Sequence, residues 1–303
     1  MQRIALGTLV EIVARDPDPE RGRRAIEDGF AEIERLEALI SEWRPTSEIS
    51  RLNAAAGGAA VAVSEETAAV LVRSAEITRD TGGTFDPTVL PLVRAWGFAG
   101  GEPRIPSDAE IEAARRLVGI DALEVDAASG RARLVRPGVA IGLGAIGKGF
   151  VADRVAARLK AAGVPAAMVK ASGDFACYGG SAKRPWPVAI EDPDRPGETL
   201  AEFEIVAGGV STSAPTYRHG EQDGVRFHHL IDPHTGRSAR GARSVTIVAD
   251  DDTLADAYAT GVFVMGAAGP DFVQARPWLR TAIVLEDGRR FASPGLEIRW
   301  LPR

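Results

Sequence analysis

The chain has one cysteine, Cys177, so no internal disulfide can form and no oxidising compartment is called for. A lone thiol of this kind reads first as a small core residue. No stretch reaches the roughly 18 uncharged apolar residues of a membrane span, which excludes helical membrane passage. Runs of five Lys or Arg are also missing and the net charge is -6, which argues against a nucleic-acid scaffold or a polybasic membrane patch. There is no fixed short repeat and no low-complexity linker. No G-x-S-x-G elbow frames a serine nucleophile. A zinc site lacks its usual ligand spacing, because the single Cys stands apart and the histidines are adjacent. The N-terminus, MQRIALGTLVEIVARD, alternates apolar and polar residues and lacks the apolar core and cleavage site of a signal peptide. A cytoplasmic protein is expected; a chain that had already lost a leader would look the same and belong to the periplasm.

What is present is a chain of 303 residues with 45% hydrophobic content, enough to bury a large core in one domain or two lobes. Residues 3–14 read as a strand. From Arg23 to Trp43, Ile26, Phe30, Ile33, Leu36 and Ile40 recur at helical spacing. A second helix is expected from Glu65 to Asp80, capped by Ser64 and stopped by Gly82 and Gly83. Ser107 and Glu110 form a capping box for a third. ALEVD and ARLVR flank Ala127 to Gly130 as a hairpin would. Then come a strand at 139–141, a glycine turn, a helix from Phe150 to Ala162 and a strand at 167–171. The second half adds the extended segments PVAIED, LAEFEIVAG, VRFHHLID, RSVTIVAD, TAIVLEDG and LEIRWL, with Asp287-Gly288 as a two-residue hairpin turn. One helix, Thr253 to Met265, interrupts them, and DPDRPGE (192–198) is the most loop-like stretch. Paired strands with grouped helices predict an α+β fold.

Four local features could carry chemistry. Asp256 and Thr260 stand four apart on the 253–265 helix and share a face, so a carboxylate and a hydroxyl offer hard oxygens to a cation such as Mg²⁺; Mn²⁺ and Ca²⁺ accept the same ligands. The plain alternative is a solvated Asp early in a helix. GLGAIG (142–147) is a literal G-x-G-x-x-G, compatible with a dinucleotide fold and an NAD ligand, with Asp174 roughly where that fold wants an acid. The flanking hairpins break the required alternation, so the loop speaks for a phosphate-bearing ligand more than for NAD. HHLIDPHTG holds three of the four histidines, and on a strand His228 and His229 face opposite ways, so only one can be a base. Ser211, Thr212 and Ser213 could bind phosphate or sugar. Trp43 and the GGTFDP turn could stack on an aromatic ring or belong to the core, and Asn53 could be a simple cap.

Taken in order, several strings resemble the ApbE family, the FAD:protein FMN transferases. They are LGT (6–8), SEWRPTSEISRLN (41–53), GGTFDPTVLPLVRAWGF (82–98), LGAIGKGFVADRV (143–155), SGD (172–174), STS (211–213), HHLIDPHTG (228–236) and ADAYATGVFVMG (255–266). The resemblance spans nearly the whole chain. It implies one domain over residues 1–303, made of two related T-fold-like β-α-β lobes packed intimately, with a division near 137. FAD would lie in the crevice between them, with Mg²⁺ beside its diphosphate. It implies Asp256, Thr260 and the carbonyl of Ala145 as metal ligands and His229 as the base. Leu6, Trp43, Thr84, Phe85, Asp86 and Lys148 would line the flavin nucleotide, with Asn53 and Ser213 at the same site. The implied reaction cleaves FAD, attaches FMN through its phosphate to a Thr or Ser hydroxyl of an acceptor protein and releases AMP. An FAD pyrophosphatase, in which water replaces that hydroxyl, and a flavin-binding protein without turnover are the rival readings. Two departures stand out: Gly142 replaces the acid many relatives carry at the start of the glycine loop, and Ala214 replaces the glycine of a T-S-G pattern.

Overall fold

The computed structural model describes residues 1–302, which form an α+β fold organised on one large sheet. Its eight strands run in the spatial order Gln2–Ala5, Thr8–Arg15, Ala166–Ala171, Asp174–Tyr178, Gly208–Ser213, Ala242–Ala249, Arg280–Leu285 and Arg290–Ala292, with every neighbouring pair antiparallel. Strand Thr8–Arg15 pairs with Ala166–Ala171, so the sheet runs unbroken across residue 137. One face carries the helices Pro19–Ile40, Gly147–Ala161 and Asp252–Met265 over the main apolar core, which includes Ile12, Ile33, Leu36, Val151, Val155 and Phe263. The other face packs on a three-stranded sheet made of Trp186–Glu191, Thr199–Ile205 and Arg299–Trp300, sealed by Trp186, Phe175, Phe203 and Ile205.

Two glycines let the elements close on one another. A Cβ on Gly149 would sit 2.1 Å from the Asp252 carbonyl oxygen, and one on Gly209 would sit 2.1 Å from the Asp252 nitrogen. The first turn of the Asp252–Met265 helix is therefore wedged between the Gly147–Ala161 helix and the Gly208–Ser213 strand, at a distance only glycine allows. The half-buried Asp153 completes that junction. Its carboxylate accepts from the backbone nitrogens of Asp252 (2.9 Å) and Thr253 (2.7 Å) and from the Thr253 hydroxyl (2.5 Å). With Asp251 accepting from Leu254, the otherwise unpaired N–H groups of the helix start are provided for.

Several sequence expectations hold closely. The second helix spans Glu65–Asp80 behind its Ser64 cap, and the Ser107–Glu110 capping box is formed. Leu123–Asp126 and Arg131–Leu134 pair as the hairpin. Three expectations are corrected. Residues 3–14 are two strands, because Leu6 (φ 53°) and Gly7 (φ 69°) reverse the chain between Ala5 and Thr8. Residues 139–141 are no strand; the buried Ile141 finds its hydrogen-bond partners in a side chain, Asn53, whose Nδ2 donates to Ile141 O at 2.8 Å and whose Oδ1 accepts from Ile141 N at 2.7 Å. The Asp287-Gly288 turn is wider than two residues. Leu285 N donates to Arg289 O and Gly288 N to Leu285 O, which leaves three residues in the loop. Among the described residues no helix is long and apolar enough to cross a membrane.

Candidate functional site

A cleft of about 1790 Å3 opens against the large sheet, reaching from its Gln2–Ala5 strand to its Gly208–Ser213 strand. Its walls bring together segments far apart in sequence: the Leu6–Gly7 reversal, Glu42 and Trp43, Asp86, the 142–148 glycine loop, the Ser172–Asp174 turn, Ser213, Arg218, His229, Asp256 and Thr260. Of the twelve residues singled out beforehand, nine lie on it: Leu6, Trp43, Asp86, Ala145, Lys148, Ser213, His229, Asp256 and Thr260. Thr84, Phe85 and Asn53 are not among the lining residues. Phe85 is packed into the core at 1% exposure, and the Thr84 hydroxyl is turned back onto the Thr81 carbonyl at 3.1 Å. Asn53 acts from behind, by clamping Ile141 and with it the start of the glycine loop.

The glycine loop leads into the Gly147–Ala161 helix, whose start has no side-chain cap of its own. Instead the Gly149 N–H donates across to Asp256 Oδ2 at 3.1 Å. An uncapped helix N-terminus at a cleft wall favours an anion such as phosphate. Asp256 projects from the Asp252–Met265 helix and is 3% exposed; Thr260, one turn on, lies within 3.3 Å of Ser213 through their hydroxyl oxygens. Burial raises the Asp256 pKa to about 7, with the Lys148 ammonium acting against that rise. Lys148 itself is held charged by Asp174 and Asp256, which outweigh the cost of its burial. Among the described residues no three His, Cys, Asp or Glu side chains gather as a metal cage. Beside the glycine loop, with Asp174 paired to Lys148, the cleft offers the Asp256 carboxylate, the Thr260 hydroxyl and the loop carbonyls. That sparse hard-oxygen set fits a divalent cation that keeps water and takes the rest of its shell from a phosphate ligand.

His229 stands on a loop just past the Val225–His228 strand. Its backbone nitrogen and its Nδ1 both meet the Arg218 carbonyl, at 3.2 and 3.0 Å. A carbonyl oxygen only accepts, so Nδ1 carries the proton and the lone pair is on Nε2. Withdrawal from water, and then the Arg218 guanidinium, push the imidazole down to about 3, so it stays neutral at ordinary pH. Its neighbour His228 turns the other way: Nε2 bonds the Ala239 carbonyl at 3.0 Å and the ring packs edge-on against Phe263. The alternation argument thus separates the two histidines correctly.

Sequence reasoning gave no role to four groups, three on the cleft wall and one, Asp252, buried outside its lining. Asp174 meets Lys148 at 2.7 Å, and Arg218 flanks His229. Glu42 lies beside the glycine loop, close enough that a Cβ on Gly142 would be 3.4 Å from its Oε1, and burial raises its pKa. Asp252 is fully buried, and among the described residues neither carboxylate oxygen has a hydrogen-bond partner. Asp174 carried two signals, as the acid after the 166–171 strand, which pointed to a nucleotide fold the chain does not have, and as the end of the SGD string; Glu42 lies in the SEWRPTSEISRLN string, where nothing gave it a role.

The ApbE family pattern matches residues 6–283. An FAD:protein FMN transferase of Rhodobacter capsulatus is 33% identical over 298 residues, covering 97% of this chain and 56% of that protein. One from Salmonella typhimurium is 31% identical over 295 residues, covering 95% and 84%. The chain therefore spans little more than half of the first relative and most of the second. Among solved structures, the ApbE protein of Thermotoga maritima superposes with a TM-score of 0.87 at 33% identity, over 97% of this chain and 96% of that one. The flavin transferase ApbE of Vibrio cholerae gives 0.86 at 29% identity, with the same coverage.

Proposed function

The chain belongs to the ApbE family, and from that membership we propose that it is an FAD:protein FMN transferase, which splits FAD and joins FMN through its phosphate to a Thr or Ser hydroxyl of an acceptor protein. The observation that carries the reading is the shared wall: the neutral His229, the Asp256–Thr260 pair, Lys148 and an uncapped helix start all line one cleft.

Asp256, Thr260 and the Ala145 carbonyl would hold Mg²⁺. Bound there, the ion supplies neutralising charge to a diphosphate and to the departing phosphate. The chain's own groups do the rest. The helix start at Gly147 and the Lys148 ammonium orient the diphosphate. His229 Nε2 takes the proton from the acceptor hydroxyl as its oxygen bonds to the FMN phosphorus. The phosphoanhydride bond breaks, and AMP leaves with the bridging oxygen and its electron pair. Arg218 serves twice, through a carbonyl that fixes the imidazole tautomer and a guanidinium that keeps the ring unprotonated. Trp43, 54% exposed on the cleft rim, is a stacking surface for the flavin ring.

The test is to incubate the protein with FAD and Mg²⁺, with and without a Thr-bearing acceptor protein, and to follow AMP, free FMN and covalent flavin. Covalent flavin appearing with one AMP each, only when acceptor is present, is the expected result. Free FMN with or without acceptor would assign a pyrophosphatase instead, and no AMP in either case a binding protein.

A further inference from the structure

Two buried carboxylates share one ammonium in the cleft wall, and they share it unequally. Lys148 Nζ is 2.7 Å from Asp174 Oδ2 but 3.3 and 3.4 Å from the two oxygens of Asp256. Asp174 is the better anchored of the two. It opens the Asp174–Tyr178 strand at 3% exposure, and its Oδ1 accepts from the buried Ser211 hydroxyl, which leaves Oδ2 aimed at the ammonium. Asp256 is held through Oδ2 by the Gly149 N–H, while for Oδ1 the only hydrogen-bond partner among the described residues is the distant edge of the ammonium.

We propose that Asp174 is a positioning residue that draws the Lys148 ammonium away from Asp256 and so keeps an Asp256 oxygen open to a divalent cation. The inference rests on the reading of Asp256 as a metal ligand. Its physical basis is competition. In a partly desolvated site an ammonium in full contact with a buried carboxylate is a rival to a metal ion, and breaking such a pair is costly. At 2.7 Å that contact falls on Asp174; at 3.3–3.4 Å Asp256 keeps only a weak share of it. Without the Asp174 charge, the ammonium would settle on Asp256, and an incoming cation would have to displace it.

The test measures Mn²⁺ affinity by electron paramagnetic resonance, without FAD, on the wild type, Asp174→Asn, Lys148→Met and the double variant. Asparagine keeps an oxygen for the Ser211 hydroxyl, so the hairpin should survive, and thermal melting checks this. Should the amide fail to fold, Asp174→Ala goes through the same comparison with the same expectation. Asp174→Asn should weaken Mn²⁺ binding about tenfold. Lys148→Met should tighten it by less than about threefold in the wild type but by about tenfold or more in the Asp174→Asn background, the non-additivity expected of groups in contact. Equal factors in the two backgrounds would overturn the proposal, since plain charge addition gives that result. Unchanged affinity in Asp174→Asn would overturn it as well. A different pattern, Asp256→Asn binding Mn²⁺ as well as the wild type, would show that the metal assignment itself has failed.

Discussion

The Nδ1 of His229 lies 3.0 Å from the carbonyl oxygen of Arg218, the same residue whose guanidinium depresses the imidazole's proton affinity. The Arg218 carbonyl thus sets the tautomer, and its guanidinium adds to the withdrawal from water that keeps the ring neutral. With its pKa at about 3, His229 should stay neutral from pH 5 to pH 8 in the free protein. Histidine-selective NMR, assigned with a His229→Gln variant, should show a proton on Nδ1 and no titration in that range. A midpoint near 6.5 would contradict the arrangement. His229→Ala should lower transfer by roughly 10²–10⁴ fold while FAD binding persists.

Asn53 makes two hydrogen bonds to the main chain of Ile141, one as donor and one as acceptor. Asn53→Ala should cost about 1–3 kcal/mol in urea unfolding, because the buried Ile141 N–H and C=O lose their partner. Asn53→Asp should cost more than an even split of that loss suggests, since a carboxylate faces the Ile141 carbonyl with no proton to give. Both should weaken FAD binding by loosening the glycine loop. Stability equal to wild type in either variant would mean that the loop is held elsewhere.

Asp252 is fully buried, and among the described residues neither of its carboxylate oxygens has a hydrogen-bond partner; burial and the neighbouring Asp174 raise its pKa well above the ordinary value. For an acid so raised, the folded state binds more protons than the unfolded one. Its contribution to stability is therefore lost as pH rises above the unfolded value of 3.8. Asp252→Asn, which cannot ionise, should gain stability relative to wild type between pH 4 and pH 8, measured as the difference in unfolding midpoint. A gap that does not change with pH would show that the carboxyl is solvated or paired. Asp153, pushed up to about 6 mainly by burial, acts in the same direction below that pH.

Leu6 holds a left-handed backbone (φ 53°) at the hairpin tip on the cleft wall, a conformation that costs a non-glycine residue on the order of 1 kcal/mol. Leu6→Gly should release that strain and lose a similar amount to unfolded-chain entropy, so the melting temperature should barely move. FAD affinity should fall, because the apolar side chain on the wall is gone. A large fall in melting temperature with unchanged affinity would assign Leu6 to folding alone.

Features set by near neighbours in the chain were legible in the sequence. The Glu65–Asp80 helix, the Ser107 capping box and the one-turn spacing of Asp256 and Thr260 depend on residues three or four apart. The Lys148–Asp174 pair was not legible, because the contact needs the Gly147–Ala161 helix laid on the sheet that carries Asp174. Residues 139–141 show the limit of an apolar run, which does not reveal whether its backbone partners are strands or, as here, an asparagine 88 positions away. The Leu6–Gly7 reversal hid in unbroken alternation, since leucine is a poor signal for a positive φ. Phe85 was placed on the nucleotide wall by resemblance, yet here it is packed inside the core. The resemblance named segments that the fold brings to one cleft, while the direction of individual side chains depended on packing.

The claim that most of this depends on is that Asp256, Thr260 and the Ala145 carbonyl hold one divalent cation against the diphosphate of FAD. A crystal structure of the His229→Ala protein with FAD and Mn²⁺, with the metal located by its anomalous scattering, tests it directly. The account predicts one peak bonded to those three groups and to phosphate oxygen, with Lys148 still on Asp174. A peak elsewhere in the cleft, or FAD bound with its diphosphate away from Asp256, would contradict it.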